Sequence, residues 1–457
     1  MTLVLAALLI LTGAAGLMYQ VVWFRVLGLV FGVTVQAASA VLAAFMAGLA
    51  AGSLGVGRLA DRMANPLRSY GLMELFIGLS GLASLYGFEA LQPLYRQLAP
   101  PLEGAPAALA AVRFALAFLI MLIPTTLMGA TLPMAVRAAV LDTGGMSRST
   151  SLLYAFNTLG AIGGAFSAGF YLIGLFGTAG TVAIAAGLNV LVGVACLALA
   201  RRSTPKETEA AAERRVEGDP LPAPLARAVL VTYGISGGVA LAYEVVWTRV
   251  LGLVLPQTVY AFALMLCAIL SGIAAGSWLM ERFIARRANW VLVYALFEAA
   301  LGTLGILSAT AMARAYGFEA LVRSALRTER LLFADDLWFM TLFAFLTVFP
   351  AALFMGATFS VAARLYGQGH GAVGARVGTL YGANVLGAIA GSLLAGLALI
   401  PALGSQGTIW LLGAVNLALA VVILVVAQDA IRLATRSLAV GSAAVAGLVA
   451  ALITPDM

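Results

Sequence analysis

The stretch GLMYQVVWFRVLGLV at residues 16–30 returns as ALAYEVVWTRVLGLV at residues 240–254, with 11 of 15 positions identical. The offset of 224 residues persists: Gly48 and Gly52 correspond to Gly272 and Gly276, and Glu74 to Glu298. Farther along, YGFEAL occurs at 86–91 and again at 316–321. PTTLMGAT (124–131) aligns with PAALFMGAT (350–358) after one inserted residue, and YAFNTLGAIGGAFSAG (154–169) aligns with YGANVLGAIAGSLLAG (381–396). Matches kept in order over the length of two long segments indicate an internal duplication.

Composition decides what is duplicated. The 457 residues are 63% hydrophobic and 10% charged, with a mean hydropathy of +1.04. A soluble domain carries about 25% charged residues, so this chain has too little polar surface to cover a water-soluble globule. Long apolar runs fit membrane-spanning helices and not the short alternating strands of an outer-membrane barrel. Runs of about twenty residues predict spans at 3–31, 36–57, 69–87, 107–136, 151–173 and 178–200. The second half repeats them at 226–254, 258–280, 289–312, 336–363, 378–400 and 406–427, and an extra span follows at 437–453. The organisation expected is a first repeat (1–200), a polar Pro- and charge-rich linker (201–225), a second repeat (226–428) and an extra C-terminal helix (429–457). The opening apolar run lacks a basic flank and reads as a span, not a signal peptide. Segment 313–335 spaces apolar and basic residues as a helix lying on the outer interface would, with a solvated loop as the alternative.

Charge sets orientation. With a cytoplasmic N-terminus, 18 of the 26 basic residues fall on the inner side and five on the outer, as the positive-inside rule requires. The net charge of +7 would suggest nucleic acid only on a soluble basic domain, and the sequence has none. Cys196 and Cys267 lie in apolar runs and His370 is the single histidine, so neither a disulfide framework nor a His-based metal centre is expected. No cofactor-binding motif is present.

An even number of spans per repeat makes the two halves parallel, an arrangement that places a cavity between them near the membrane midplane. GRLADR (57–62) follows the second span, and SWLMER (277–282) stands at the equivalent place. This pair resembles the acidic–basic loop signature of the major facilitator superfamily. The Tyr-(Gln/Glu)-Val-Val-Trp-x-Arg-Val-Leu-Gly-Leu-Val copies, with the Met-Gly-Ala-Thr and Asn-x-Leu-Gly-Ala-Ile motifs, resemble bacterial membrane proteins identified as fused transporter/spermidine synthases. That resemblance implies an inner-membrane protein and points toward polyamines or related cations as solutes. In the family an aminopropyltransferase domain commonly follows the membrane part. This chain stops at Met457 with no nucleotide-binding strand–loop–helix unit, so that chemistry is not expected here.

Ionisable groups at membrane depth are costly and mark functional candidates. They are Arg25, Glu74, Arg113, Glu244, Arg249 and Glu298. Tyr19-Gln20 and Tyr243-Glu244 lie about 26 Å into the first span of each repeat at 1.5 Å per residue. Together with Arg25 and Arg249 they are the candidate walls of a solute cavity, the alternative being packing pairs and snorkelling arginines. Asn157 and Asn384 share a helix face with Gly160/Gly164 and Gly387/Gly391, either to contact solute or to bond across helices. Glu74 and Glu298 are read as lying one turn inside the inner face, where pairing with Arg62 or Arg282 beside Asp61 and Glu281 would make a gate. Pro124 and Pro350 are expected to break the fourth spans, and Trp23 and Trp247 to stack on a cation or anchor at the interface.

Two functions from different classes fit these features. One is a transporter that moves or binds a small organic solute between the repeats. The other is a membrane scaffold for a separate synthase or membrane complex. Lacking a Walker motif, a metal cluster or a nucleophile–base pair, the sequence points away from an ATP-driven pump and from an enzyme.

Overall fold

The computed structural model describes residues 2–427 apart from 33, 61–64, 103, 144–145, 202–220, 256–257, 284–288, 333–335 and 368–372. The linker and the thirteenth span lie largely or wholly outside the described residues. The chain forms two compact units, Met1–Ala212 and Glu213–Met457. The N-terminal unit contains α1 (Thr2–Phe31), α2 (Val35–Ala60), α3 (Pro66–Leu98), α4 (Pro106–Thr143), α5 (Met146–Ser167) and α6 (Ile173–Ala200). The C-terminal unit contains α7 (Ala223–Val254), α8 (Thr258–Phe283), α9 (Trp290–Ala313), α10 (Ala315–Leu326), α11 (Leu337–Gly367), α12 (Val373–Leu394) and α13 (Ile400–Val426).

Among the described residues, ten helical stretches are long and apolar enough to cross a membrane. Two of them, Ala155–Ala200 and Thr379–Val426, run for 46 and 48 residues, or about 70 Å against a hydrocarbon core of about 30 Å. Each therefore crosses twice. The fold-back comes at Gly177 (φ 69°, ψ −179°) and Gly404 (φ 69°, ψ 177°), a conformation essentially confined to glycine because it has no Cβ. A π-helical turn, Ala168–Leu172 or Ala395–Leu399, precedes each bend. The described residues thus hold twelve crossings in an all-α, multi-pass membrane fold. Pro124 and Pro350 do not break their spans, since α4 and α11 run through them without interruption.

Packing follows one plan in both units. In the first, α1 packs on α5 and α6, α2 on α4, and α3 on α4 and α6; in the second, α7 packs on α12 and α13, α8 on α11, and α9 on α11 and α13. Small residues allow these approaches, because between lipid-bathed helices dispersion at short range is the main attraction. A Cβ on Gly52 would strike the Thr126 carbonyl of α4, and one on Gly276 the Leu353 carbonyl of α11. Gly160 and Gly164 meet the Ile10 and Ala14 carbonyls, and Gly387 and Gly391 those of Gly234 and Gly238. Even the helix starts match: Asn65 Oδ1 accepts from the Arg68 N–H at 3.0 Å, and Asn289 Oδ1 from the Leu292 N–H at 3.2 Å.

Candidate functional site

Each unit buries one glutamate on its third spanning helix. In the N-terminal unit α3 starts at Pro66, three residues before the expected span, so Glu74 lies eight residues or about 12 Å along it. The carboxylate is fully buried and both oxygens are occupied. Thr12 Oγ1 of α1 donates to Glu74 Oε1 at 2.9 Å, and Asn189 Nδ2 of α6 donates to Oε2 at 2.7 Å. Tyr70 OH lies 2.7 Å from Thr12 Oγ1. Because the threonine proton goes to Glu74, the tyrosine is the donor there. Three helices thus close over one carboxylate, expected from the sequence to form a gate with Arg62. Arg62 and Asp61 lie outside the described residues.

The C-terminal unit has the same residue types at Glu298, Ser236, Tyr294 and Asn416, with fewer bonds made. Ser236 Oγ donates to Glu298 Oε2 at 3.2 Å, and Tyr294 is its other hydrogen-bonding neighbour. Glu298 Oε1 and both amide atoms of Asn416 are buried without a partner. Arg282, expected to form a gate with Glu298, is not among the hydrogen-bonding neighbours of that carboxylate. Arg282 is exposed and lays its guanidinium over the Trp278 ring, 4.0 Å from the centroid. The side chain of Glu281 is outside the described set.

The residues read as cavity walls separate into two groups. Tyr19 and Tyr243 turn inward in their own units, with their hydroxyls against Gly81 of α3 and Gly305 of α9. Their rings stack on Trp23 and Trp247 at 5.2 Å and 4.8 Å between centroids. Those indoles are fully buried, and each N–H donates at 2.9 Å, to Ser84 and Ser308. Both tryptophans are therefore interior packing groups, not interfacial anchors, because a serine on the neighbouring helix satisfies the indole N–H. Asn384 donates to the Tyr233 carbonyl at 3.2 Å, and Asn157 sits where α5 meets Gly13 of α1. Arg25 is half-buried, Arg249 is exposed, and Arg113 donates to Tyr95 OH at 2.8 Å.

Gln20 and Glu244 remain. Both are buried, at 5% and 6% exposure, and Glu244 Oε1 has no partner. Thr248 Oγ1 donates to the Glu244 backbone carbonyl at 2.8 Å. Sequence reasoning found the carboxylates but missed Thr12 of α1, Tyr70 and Ser84 of α3, and Asn189 of α6. The repeat offset held the signal: Tyr70 and Ser84 recur as Tyr294 and Ser308 at 224 residues, and Asn189 as Asn416 at 227.

No protein-family model matches the chain, and no curated protein is similar to it. The likeness to fused transporter/spermidine synthases therefore rests on the quoted motifs alone. Solved structures do match. The nucleoside transporter NupG, solved as a point mutant, superposes with a TM-score of 0.60 at 13% identity, covering 92% of this chain and 99% of its own. A bacterial homologue of the human lysosomal transporter Spinster, inward-facing and unoccupied, gives 0.54 at 13% identity over 99% and 97% of the two chains. Its inward-facing, occupied form gives the same TM-score. The fold is that of major facilitator-type transporters.

Proposed function

We propose that this protein moves a small organic solute across its membrane, and that the solute is a polyamine or a related cation. The observation that carries the reading is Glu244. It is a buried carboxylate with an unpartnered oxygen, about 32 Å along the spanning helix α7, in a fold shared with solved transporters. An isolated carboxylate inside an apolar bundle is expensive, so its presence at that depth argues for a job beyond packing. A cationic solute is the partner its charge would attract. Gln20 at the equivalent position offers hydrogen bonds without charge, so recognition of a polycation would be lopsided, with its ammonium held from the C-terminal unit. Tyr19 and Tyr243, committed to interior stacking, would hold the first helix of each unit in register instead of touching solute.

The test is spermidine binding to the purified full chain by calorimetry, wild type against Glu244→Gln, with uridine as an uncharged control. The expected result is binding of spermidine alone, weakened at least tenfold by the substitution. Binding of uridine, or spermidine binding untouched by Glu244→Gln, would remove the polyamine assignment. Absence of any solute binding would favour the scaffold for a separate synthase or membrane complex.

A further inference from the structure

One face of α9 gathers buried polar atoms that nothing satisfies. Glu298, Gly302 and Gly305 follow one another at i, i+4 and i+7, so they line a single stripe of the helix. Asn416 of α13 comes down on this stripe: a Cβ added to Gly302 would lie 3.1 Å from the Asn416 Cβ. Tyr243 of α7 arrives one turn farther on, its hydroxyl against Gly305. Glu298 Oε1, Asn416 Oδ1, Asn416 Nδ2 and Tyr243 OH are all buried and all without a hydrogen-bond partner. Glu298 and Asn416 are fully buried, and so is Tyr243.

Native structures leave few buried polar groups unpaired, and each exception calls for an explanation, a bound ion among them. Four on two turns of one helix face form a site. In the N-terminal unit the equivalent carboxylate is satisfied at both oxygens, although Asn189 Oδ1 and Tyr19 OH are unpartnered there as well. There Glu74, Gly78 and Gly81 form the equivalent stripe, the Asn189 amide bonds the carboxylate, and Thr12 takes the second oxygen. In the C-terminal unit Ser236 reaches only Oε2, at 3.2 Å, and the amide makes no bond.

We propose that the polar cluster at Glu298 and Asn416 binds a monovalent alkali cation. The donor chemistry fixes the class. One carboxylate oxygen, an amide oxygen and hydroxyls are hard oxygen ligands, and one negative charge balances one positive charge in an interior where net charge is costly. Among the described residues no three His, Cys, Asp or Glu side chains gather, so a divalent or transition metal would lack charged ligands. With Oε1 and Asn416 Oδ1 facing the ion, Ser236 continues to donate to the other carboxylate oxygen. The site joins α7, α9 and α13, so an ion there would tie three helices of one unit together. The inference rests on these contacts and not on the transport reading, and its test uses no solute.

Thermal unfolding of the purified full chain in NaCl, KCl or choline chloride at equal ionic strength reads the site directly. A saturable rise in Tm with Na+ or K+ over choline is expected, because a ligand that binds only the folded state stabilises it by mass action. Glu298→Gln should weaken the apparent ion affinity at least tenfold, and Asn416→Ala should weaken it by a smaller factor. Glu74→Gln should leave the response unchanged, since both oxygens of that carboxylate already accept from Thr12 and Asn189. Equal Tm in all three salts would overturn the proposal, and so would an undiminished response in Glu298→Gln. If Glu298→Gln does not fold, Asn416→Ala and direct 22Na+ binding to the wild type decide it in the same way.

Discussion

The two units share a scaffold and differ in how their polar groups are satisfied. Both cross α-helices through glycines against backbone carbonyls, cap the third helix with asparagine, stack Tyr on Trp and bond Trp to Ser at 2.9 Å. Against that constancy, the N-terminal unit saturates Glu74 and carries Gln20, whereas the C-terminal unit leaves oxygens of Glu298 and Glu244 unpartnered. Apolar close packing tolerates little change after a duplication, because each contact is shared with a backbone. A buried polar set can be rewired by one or two side chains. Divergence has accumulated where it alters chemistry and not where it holds helices together.

A second difference is covalent. The YGFEAL motif lies within the unbroken α3 in the first unit but opens α10 in the second, after a turn at Arg314. Six additional residues separate Glu298 from its copy of the motif, compared with Glu74. The same segment thus ends one long helix and begins a separate short one, with Tyr316 and Leu321 exposed.

The sharpest way to break the comparison is to attack what the units share. Gly52→Val and Gly276→Val should each abolish recovery of monodisperse protein, because the new side chain would meet a carbonyl of the facing helix; well-folded protein from either would refute the close-packed scaffold. Gly177→Ala and Gly404→Ala should each destabilise by about 1–3 kcal/mol, through a backbone region only glycine enters readily, read as matching drops in Tm. Unequal effects are expected for the amides when choline is the only cation. Asn189→Leu should cost about 1–2 kcal/mol by stripping a bond from a buried carboxylate, while Asn416→Leu, which breaks no bond in the structure, should cost less. Trp23→Phe and Trp247→Phe should cost about 1 kcal/mol each and equally, since both remove one indole N–H donor to serine.

Much of this scaffold was legible in the sequence. Hydropathy placed α9 within one residue of its expected ends, and the duplication gave the common helix order. It missed the last eleven residues of α3, because FEALQPLYRQL is too polar to count as span although the backbone stays helical. The candidate sites were legible as residue types and not as partnerships. Glu74 and Glu298 stood out as charges in apolar runs, but only three-dimensional packing sets Thr12 and Asn189 against one and leaves Asn416 idle beside the other. The buried tryptophans escaped for the same reason: their partners Ser84 and Ser308 are 61 residues away.

On the proposed reading, charge recognition has been retained in the C-terminal unit and lost from the N-terminal one. Spermidine uptake into proteoliposomes, compared for the wild type, Glu244→Gln and Glu74→Gln, separates the two units most cleanly. At least a tenfold loss of uptake is expected for Glu244→Gln, with near wild-type uptake for Glu74→Gln. Equal loss in both variants, or full uptake in Glu244→Gln, would contradict it.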